Sequence, residues 1–338
     1  MKKISFVLIF ALAFSFAYDM NITKGQAVIL EFGKKGLKEI QSKSNLDKKE
    51  KKERFMLHPS DDNKVVLIFS SSYRKPIKEA KISALYANGE IKNYHLLGYD
   101  GSYKVEKLTV AANKVKPPKE VLARIQKELK EANKIYATFT DEALYDGKFI
   151  KPLDSAITSH FGTARVFNNT LASYHSGTDF RAKVGTPILA ANSGVVRLAK
   201  DRYYAGGSVI IDHGYKIFSQ YYHLSEIKVK VGQKVNKGDV IALSGDSGRV
   251  TGAHLHFGIF AGGNQVDPMD FIKKFNDLVD EKVKWWLRGR DLNPRPLGYE
   301  PSELTTAPPR VKSGWGKGIR TPEWQDQNLL PYRLAIPQ

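Results

Sequence analysis

The sequence of 338 residues contains no cysteine. This absence excludes disulfide bonds, zinc sites built from thiolates, and a lipid-modified cysteine at the mature N-terminus. Beyond the first 17 residues, no segment has the roughly 20 consecutive apolar residues that a membrane-spanning helix needs. A His-Glu-x-x-His sequence is also missing, so a helical zinc site with a glutamate base is excluded.

The first 17 residues, MKKISFVLIFALAFSFA, have the features of a cleaved secretory signal. Lys2 and Lys3 form a basic head, an apolar stretch follows, and Ser15 and Ala17 supply the small residues of a cleavage site. The apolar stretch is too short for a membrane anchor. We therefore expect a mature protein that is soluble outside the cytoplasm and has no transmembrane anchor.

Basic residues outnumber acidic ones, 53 to 35, which gives a formal net charge of +18. Such a charge favours binding to anionic surfaces. Nucleic acid is one candidate partner, but an exported protein first meets the anionic cell envelope. The sequence therefore predicts no nucleic-acid partner, and no oligomeric state is assigned.

Residues 285–338 differ in composition from the rest of the chain. This segment contains all four tryptophans and eight of the 15 prolines. It shows no hydrophobic period, and its prolines would interrupt any long helix. We predict that it is disordered and an artefact of translation or annotation; the alternative is a genuine proline-rich interaction tail.

The remaining sequence predicts a mainly β protein in two parts. Residues 18–112 alternate apolar runs with turn residues, which is typical of a β-sandwich-like module, and Asn88-Gly89 predicts a hairpin turn. No cluster of residues in this module indicates chemistry. Residues 149–284 contain short strands separated by glycine turns, which indicates an all-β sheet or barrel.

A helical linker is predicted between these two parts, over residues 113–148. After two prolines, Val121, Ile125 and Leu129 recur at positions i, i+4 and i+8. This spacing predicts an amphipathic helix whose apolar face contains these three side chains.

Six of the eight histidines lie between residues 160 and 256. In GAHLHFG, His254 and His256 are two residues apart, so a strand would place both on one face with Cα atoms about 7 Å apart. A catalytic zinc usually has three protein ligands and one open position. The other candidates are the carboxylate of HSGTD and four further histidines: Asp179, His160, His175, His213 and His223.

Three segments together resemble the lysostaphin-like (LytM-type) zinc metallopeptidases. They are HSGTDFRAKVGTPILAANSGVV, SQYYHL and VGQKVNKGDVIALSGDSGRVTGAHLHF, and they occur in the order expected for that family. The resemblance covers about residues 149–275, and SHFGTARVFN matches the usual lead-in. The family resemblance implies an antiparallel β-sheet folded around a groove. The segment VGQKVNKGDVI also resembles the hairpin of biotinyl and lipoyl carrier domains, but the lysine that those domains modify is missing.

The family resemblance implies a role for each of five residues. His175, Asp179 and His256 are expected to bind zinc, and His254 is expected to act as the general base. His223 is expected to orient the attacking water or to stabilise the oxyanion.

Other polar residues receive weaker assignments. His213 is interpreted as structural, and His160 as a groove or surface residue. Three arginines near the expected groove are candidates for binding substrate carboxylates: Arg165, Arg181 and Arg249.

The resemblance also implies the substrate, which is the peptide stems and cross-bridges of bacterial peptidoglycan. The N-terminal module resembles the lead-in of periplasmic relatives from Gram-negative bacteria. We therefore expect a periplasmic zinc metalloendopeptidase that cuts D,D cross-links, with carboxypeptidase trimming as a second activity. The alternative is a non-catalytic LytM-type activator of other wall hydrolases, and the five intact positions favour the enzyme. The N-terminal module is also a candidate for covering the groove.

Overall fold

The computed structural model describes residues 17–108, 118–167 and 170–280. The predicted signal lies outside these ranges except for Ala17, and the predicted tail at 285–338 lies wholly outside them. No helix in the described ranges is long and apolar enough to cross a membrane.

The N-terminal module consists of strands from two facing sheets and one further strand. One sheet has the order β1-β8-β7-β3-β4, and the other has the order β2-β6-β5. The predicted hairpin at Asn88-Gly89 joins β7 to β8, with Gly89 at φ 85°. The bounds are β1 (Ala17–Thr23), β2 (Ala27–Gly33), β3 (Leu37–Ser44), β4 (Lys51–Glu53), β5 (Met56–Leu57), β6 (Lys64–Ser70), β7 (Glu79–Tyr86), β8 (Ile91–Tyr99) and β9 (Val105–Leu108).

The three-stranded sheet β2-β6-β5 is buried on both faces. Because successive side chains of a strand point to opposite faces, Leu30 and Leu67 pack in the core shared with the five-stranded sheet. Ala27 and Val66 point the other way and belong to the core of the C-terminal domain. The two parts of the protein therefore share this sheet as a common layer.

The C-terminal domain is built on one large antiparallel sheet with the order β10-β13-β20-β17-β16-β15-β18. Strand β19 pairs with β14 and β17, and β21 pairs with β20. The prediction of a mainly β protein with an antiparallel C-terminal domain is confirmed. The bounds are β10 (Ile157–Ser159), β11 (Ala164–Phe167), β12 (Thr170–Tyr174), β13 (Thr178–Arg181), β14 (Pro187–Leu189), β15 (Gly194–Arg202), β16 (Gly206–Asp212), β17 (Phe218–Ile227), β18 (Lys234–Val235), β19 (Val240–Ser244), β20 (His254–Ala261) and β21 (Asn264–Val266).

One face of the large sheet packs on helix α2 (Pro268–Val279), whose Phe271 and Phe275 are buried in the main core. Asp267 caps this helix by accepting a hydrogen bond from the Met269 amide at 3.0 Å. The opposite face of the sheet is covered at one end by the linker helix and is otherwise the face of the candidate site.

The predicted linker helix is present as α1 (Leu122–Ala137). Ala132 and Tyr136 are buried in a hydrophobic cluster with side chains of the large sheet, and Glu128 is buried beside them, whereas Leu129 is 58% exposed. At 3.6 residues per turn, Ala132 and Tyr136 lie on the same face of the helix as the three predicted positions. The predicted face is therefore the one that packs, but its contact with the sheet is made mainly by residues further along the helix.

A third, small sheet connects the N-terminal module to the C-terminal domain. Strand β9 pairs in parallel with β11, and β11 pairs with β12 in a hairpin. This hairpin leads directly to His175, one of the predicted ligands.

Candidate metal centre

Three neighbouring strands bring the predicted site residues together. Strand β13 pairs with β20 so that Asp179 lies opposite His256, and β17 pairs on the other side with Tyr222 opposite His256. His254 lies on the same face as His256, as period-two alternation predicts, while the intervening Leu255 is completely buried in the core.

Three potential ligand atoms converge at this face. Nε2 of His175 lies 2.8 Å from Oδ1 of Asp179, and Nδ1 of His256 lies 2.9 Å from the same oxygen. The two nitrogens are 2.9 Å apart. Within residues 17–108, 118–167 and 170–280, this is the one group of three or more such side chains close enough to hold a metal ion. Two imidazoles and a carboxylate form a donor set that fits a catalytic zinc.

The ring of His175 is held by the segment before it. Its Nδ1 donates a hydrogen bond to the carbonyl oxygen of His160 at 2.9 Å. Its backbone amide donates to Thr163, and its carbonyl accepts from the Gly162 amide at 2.8 Å. Since a carbonyl can only accept, the Nδ1 proton is fixed and Nε2 presents its lone pair to the centre.

The protonation states of the buried ligands suit metal binding. Burial disfavours the charged form of Asp179, but the adjacent imidazoles of His175 and His256 outweigh it and hold the pKa of this carboxyl well below its ordinary value. Burial lowers the pKa of His256. A carboxylate and a neutral imidazole, the forms that bind metal, are therefore present at neutral pH.

His254 lies beside the three ligands and is more exposed than they are. Its Nε2 is 3.7 Å from Oδ1 of Asp179, so it faces the centre at a distance longer than a hydrogen bond. Its Nδ1 donates to the carbonyl oxygen of Gly252 at 2.8 Å. In its neutral form, His254 therefore carries its lone pair on the nitrogen that faces the centre.

His223 shares the face with His254, with 4.9 Å between the ring centroids. Its Nδ1 donates to the carbonyl oxygen of Ser247 at 2.9 Å. Burial, helped by the neighbouring His256, lowers the pKa of His223 to about 4. At neutral pH its single ring proton is therefore on Nδ1, and Nε2 is a hydrogen-bond acceptor.

The backbone at His223 departs from a regular strand. Its φ is 63°, in the left-handed region, and its amide donates to Ala205 at 2.8 Å. The register between β16 and β17 shifts at this point, between the pairs Gly207–Leu224 and Val209–Tyr221. Such an irregularity re-aims a side chain, and here it turns His223 toward the site.

Tyr222 is a site residue that the sequence analysis missed. Its ring stacks on the ring of His256, with centroids 5.4 Å apart and planes 1° from parallel. Its hydroxyl donates to Gln220 at 2.9 Å, and the guanidinium of Arg202 lies 5.3 Å from its ring centroid. Tyr222 therefore packs against the imidazole of a predicted ligand from the side. Tyr222 directly precedes His223 in the segment SQYYHL, and this position could have indicated that it lies at the site.

The remaining candidates lie apart from the three ligands. His213 is completely buried, where it bonds to the carbonyl of Ser193 at 2.7 Å and the hydroxyl of Ser219 at 2.8 Å, and burial lowers its pKa to about 4. The side chain of His160 is exposed, and only its carbonyl contacts His175.

Of the three arginines, Arg181 is exposed on β13, in the strand that carries Asp179. Arg249 is also exposed, and its guanidinium lies 4.2 Å from the ring centroid of Tyr204. The side chain of Arg165 lies outside the described part of the structure.

Gly177 of HSGTD is required by the close approach of β13 to β20. A Cβ atom at this position would lie 2.6 Å from Nε2 of His256 and 2.4 Å from the carbonyl oxygen of Phe257. Both distances are too short for any side chain. The glycine therefore allows the imidazole ring of His256 to reach its position.

We expect Gly177→Ala to weaken zinc binding by about 10-fold or more, because the methyl group must displace His256, and ligand misplacement of this kind has effects of that size. Competition with a chromophoric chelator measures the dissociation constant. Gly252→Ala is the matched control, since a Cβ there meets nothing within 4 Å. Equal zinc affinities in the two variants would contradict the expectation.

Comparison with known proteins places this site in a described family. Residues 173–268 match the sequence profile of Peptidase family M23. All five predicted site residues lie inside this match, so the chain carries a peptidase M23 domain.

Individual relatives agree with this assignment. The chain is 44% identical over 121 residues to the peptidoglycan DD-endopeptidase ShyA of Vibrio cholerae, an alignment that covers 35% of this chain and 28% of ShyA. It is 39% identical over 105 residues to the glycyl-glycine endopeptidase ALE-1 of Staphylococcus capitis, which covers 29% of each protein. The chain thus spans less than a third of the length of these curated relatives.

A solved structure matches more of the chain. The crystal structure of a peptidase M23 from Pseudomonas aeruginosa superposes with a TM-score of 0.56 at 26% identity, and covers 75% of this chain and 96% of that one. Residues 118–280 make up a smaller part of the chain than the 75% that this structure covers. The likeness therefore extends into the N-terminal module.

Proposed function

We propose that this protein is a zinc-dependent endopeptidase that hydrolyses the peptide cross-links of peptidoglycan. The observation that carries the proposal is the convergence of His175, Asp179 and His256, with His254 and His223 on the same face. The M23 match and the names of the relatives support it. An activator without catalysis has no support in this site, because all five side chains are in place.

The donor set fits zinc in kind and number. Three protein ligands leave one position of a four-coordinate zinc for water or substrate. Zinc held by these residues would supply hydroxide near neutral pH, because zinc lowers the pKa of bound water to about 7. Asp179 contributes the single negative charge of the set, and imidazole binds zinc in its neutral form.

His254 is the group best placed to act as general base. Its Nδ1 proton is engaged by Gly252, so its Nε2 lone pair, which faces Asp179 across 3.7 Å, is free to accept a proton from the attacking water. The resulting imidazolium then holds that proton on Nε2, where it can be donated to the leaving amine. General acid–base catalysis of this kind contributes about 10²–10⁴-fold to a rate.

His223 is better suited to orienting water than to stabilising the oxyanion. With its proton on Nδ1, directed at Ser247, the neutral ring offers only an acceptor to the site. An acceptor binds a water hydrogen, whereas an oxyanion needs a donor. The geometry therefore favours orientation of the attacking water over stabilisation of the oxyanion.

For the substrate, we propose D-alanyl to meso-diaminopimelyl cross-links in the periplasm. ShyA, which by its name is a peptidoglycan DD-endopeptidase, shares a longer and more similar segment with this chain than does ALE-1, a glycyl-glycine endopeptidase. The predicted secretory signal supports export from the cytoplasm, and the resemblance of the N-terminal module to that of periplasmic relatives favours the periplasm. Trimming of stem peptides by carboxypeptidase action is the secondary activity.

Digestion of purified sacculi with the zinc-loaded protein tests this function, with the released muropeptides identified by mass spectrometry. We expect cross-linked dimers to decrease and monomers to increase in matching amounts. The matched control is His256→Ala, which lacks a ligand. Shortened stems with intact dimers would indicate carboxypeptidase action instead, and unchanged muropeptides would contradict the proposed function.

A further inference from the structure

Four aromatic side chains join the N-terminal module to the segment that precedes His175. We call them the joint cluster: Tyr73 and Tyr103 from the module, and Phe161 and Tyr174 from the C-terminal domain. The rings of Tyr73 and Tyr174 stack with centroids 4.2 Å apart and planes 9° from parallel. Tyr73 and Phe161 also contact Tyr103, with centroids 5.1 and 6.2 Å from its own.

A hydrogen bond from the same cluster reaches the backbone around the ligand. The Tyr73 hydroxyl donates to the carbonyl oxygen of Gly162 at 2.8 Å. The Gly162 amide in turn donates to the carbonyl of His175 at 2.8 Å, and the His160 carbonyl accepts from the His175 ring at 2.9 Å. Two hydrogen bonds therefore connect a side chain of the N-terminal module to the ligand residue.

The backbone of the module supports the same segment from a second side. The Ala164 amide donates to the Lys104 carbonyl at 2.8 Å, where parallel pairing of β9 with β11 begins. Strand β11 pairs with β12, which ends at Tyr174. The chain on both sides of the hairpin that leads to His175 is thus fixed by residues of the module.

The fit at Gly162 is close. Its φ is 81°, and a Cβ atom there would lie 2.1 Å from Cδ1 of Tyr103. The backbone of the segment therefore lies directly against the ring of a module residue.

We propose that Tyr73 is a positioning residue for the metal centre, through which the N-terminal module holds the ligand His175 in place. The proposal rests on the proposed zinc site. A positioning role for the module differs from a role in covering the groove. If the module only covered the groove, loosening it would raise turnover and leave zinc affinity unchanged. Loosening the joint cluster instead weakens zinc binding.

The test uses the full chain carrying Tyr73→Phe, which keeps the stacked ring and removes the hydroxyl that bonds Gly162. The matched control is Tyr94→Phe, which removes a hydroxyl that donates to the Glu31 carbonyl at 3.2 Å inside the module. Direct partners of a ligating histidine affect metal affinity about 10–100-fold. Tyr73 acts one hydrogen bond further away, so we expect the zinc dissociation constant to rise about 3–10-fold.

Two measurements separate positioning from general stability. Chelator competition gives the zinc dissociation constant, and hydrogen exchange of the metal-free protein reports the Gly162 amide, which donates to His175. We expect Tyr73→Phe to weaken zinc binding and to speed this exchange, while Tyr94→Phe changes neither. Equal zinc affinity and equal exchange at Gly162 in the two variants would overturn the proposal.

Failure of this proposal is distinguishable from failure of the proposed function. If His175→Ala still bound zinc stoichiometrically, the metal site itself would be wrong. If His175→Ala lost zinc while Tyr73→Phe bound it like wild type, only the positioning role would be wrong.

Discussion

We expect His254→Ala to retain one zinc per chain and to lose about 10²–10⁴-fold in turnover, the usual contribution of a general base. The metal stays because none of the three ligand atoms belongs to this side chain, whose Nε2 is 3.7 Å from the carboxylate of Asp179. The rate falls because the lone pair directed at the centre is removed. Zinc content by atomic emission and hydrolysis of cross-linked muropeptides are the two measurements.

His95→Ala is the matched control for this substitution. His95 is half-exposed on the N-terminal module, where its Nδ1 lies 3.3 Å from the carboxylate of Asp19. This substitution is expected to leave turnover unchanged. If His254→Ala lost its metal together with its activity, the roles given to His254 and His256 would have to be exchanged.

Asp179→Ala is expected to abolish stoichiometric zinc and all detectable turnover. Asp179 supplies the only charged donor of the set, and its Oδ1 lies 2.8 and 2.9 Å from the nearest nitrogens of the two predicted ligand imidazoles. Without it, two neutral nitrogens remain, which is one ligand short of a catalytic zinc site. His175→Ala should give the same result, because it also removes one donor.

Asp154→Ala serves as the control for lost carboxylate charge, because Asp154 is exposed in the same domain. Metal analysis after exhaustive dialysis measures the outcome. Stoichiometric zinc in both Asp179→Ala and His175→Ala would refute the ligand assignment, whereas loss in these two and retention in Asp154→Ala agrees with it.

Period-two alternation was sufficient to place His254 and His256 on one face, because both lie in the regular part of β20. The same rule fails for His223. Tyr221 is completely buried in the core, so a regular strand would turn His223 to the core as well and leave only Tyr222 at the site. The left-handed residue at His223 breaks the alternation, and a sequence pattern contains no signal for that irregularity.

Contacts between segments that are distant in the sequence could not be predicted from it either. Neither the pairing of β9 with β11 nor the stacking of Tyr73 on Tyr174 follows from local spacing, since both depend on how the two parts dock. One signal was present and went unused. The runs QAVILEF and NKVVLIF are nearly continuous in apolar residues, and such strands are typically buried on both faces.

The shared sheet β2-β6-β5 limits how the M23 domain of this chain can be transplanted into an engineered protein. Ala27, Met56 and Val66 complete the core of the C-terminal domain, and partly buried Ile29 and Ile68 pack against it. A graft that begins at residue 149 would carry an uncovered apolar surface into its new host, where it would promote aggregation. A transplant of this domain should therefore carry the whole stretch 17–280.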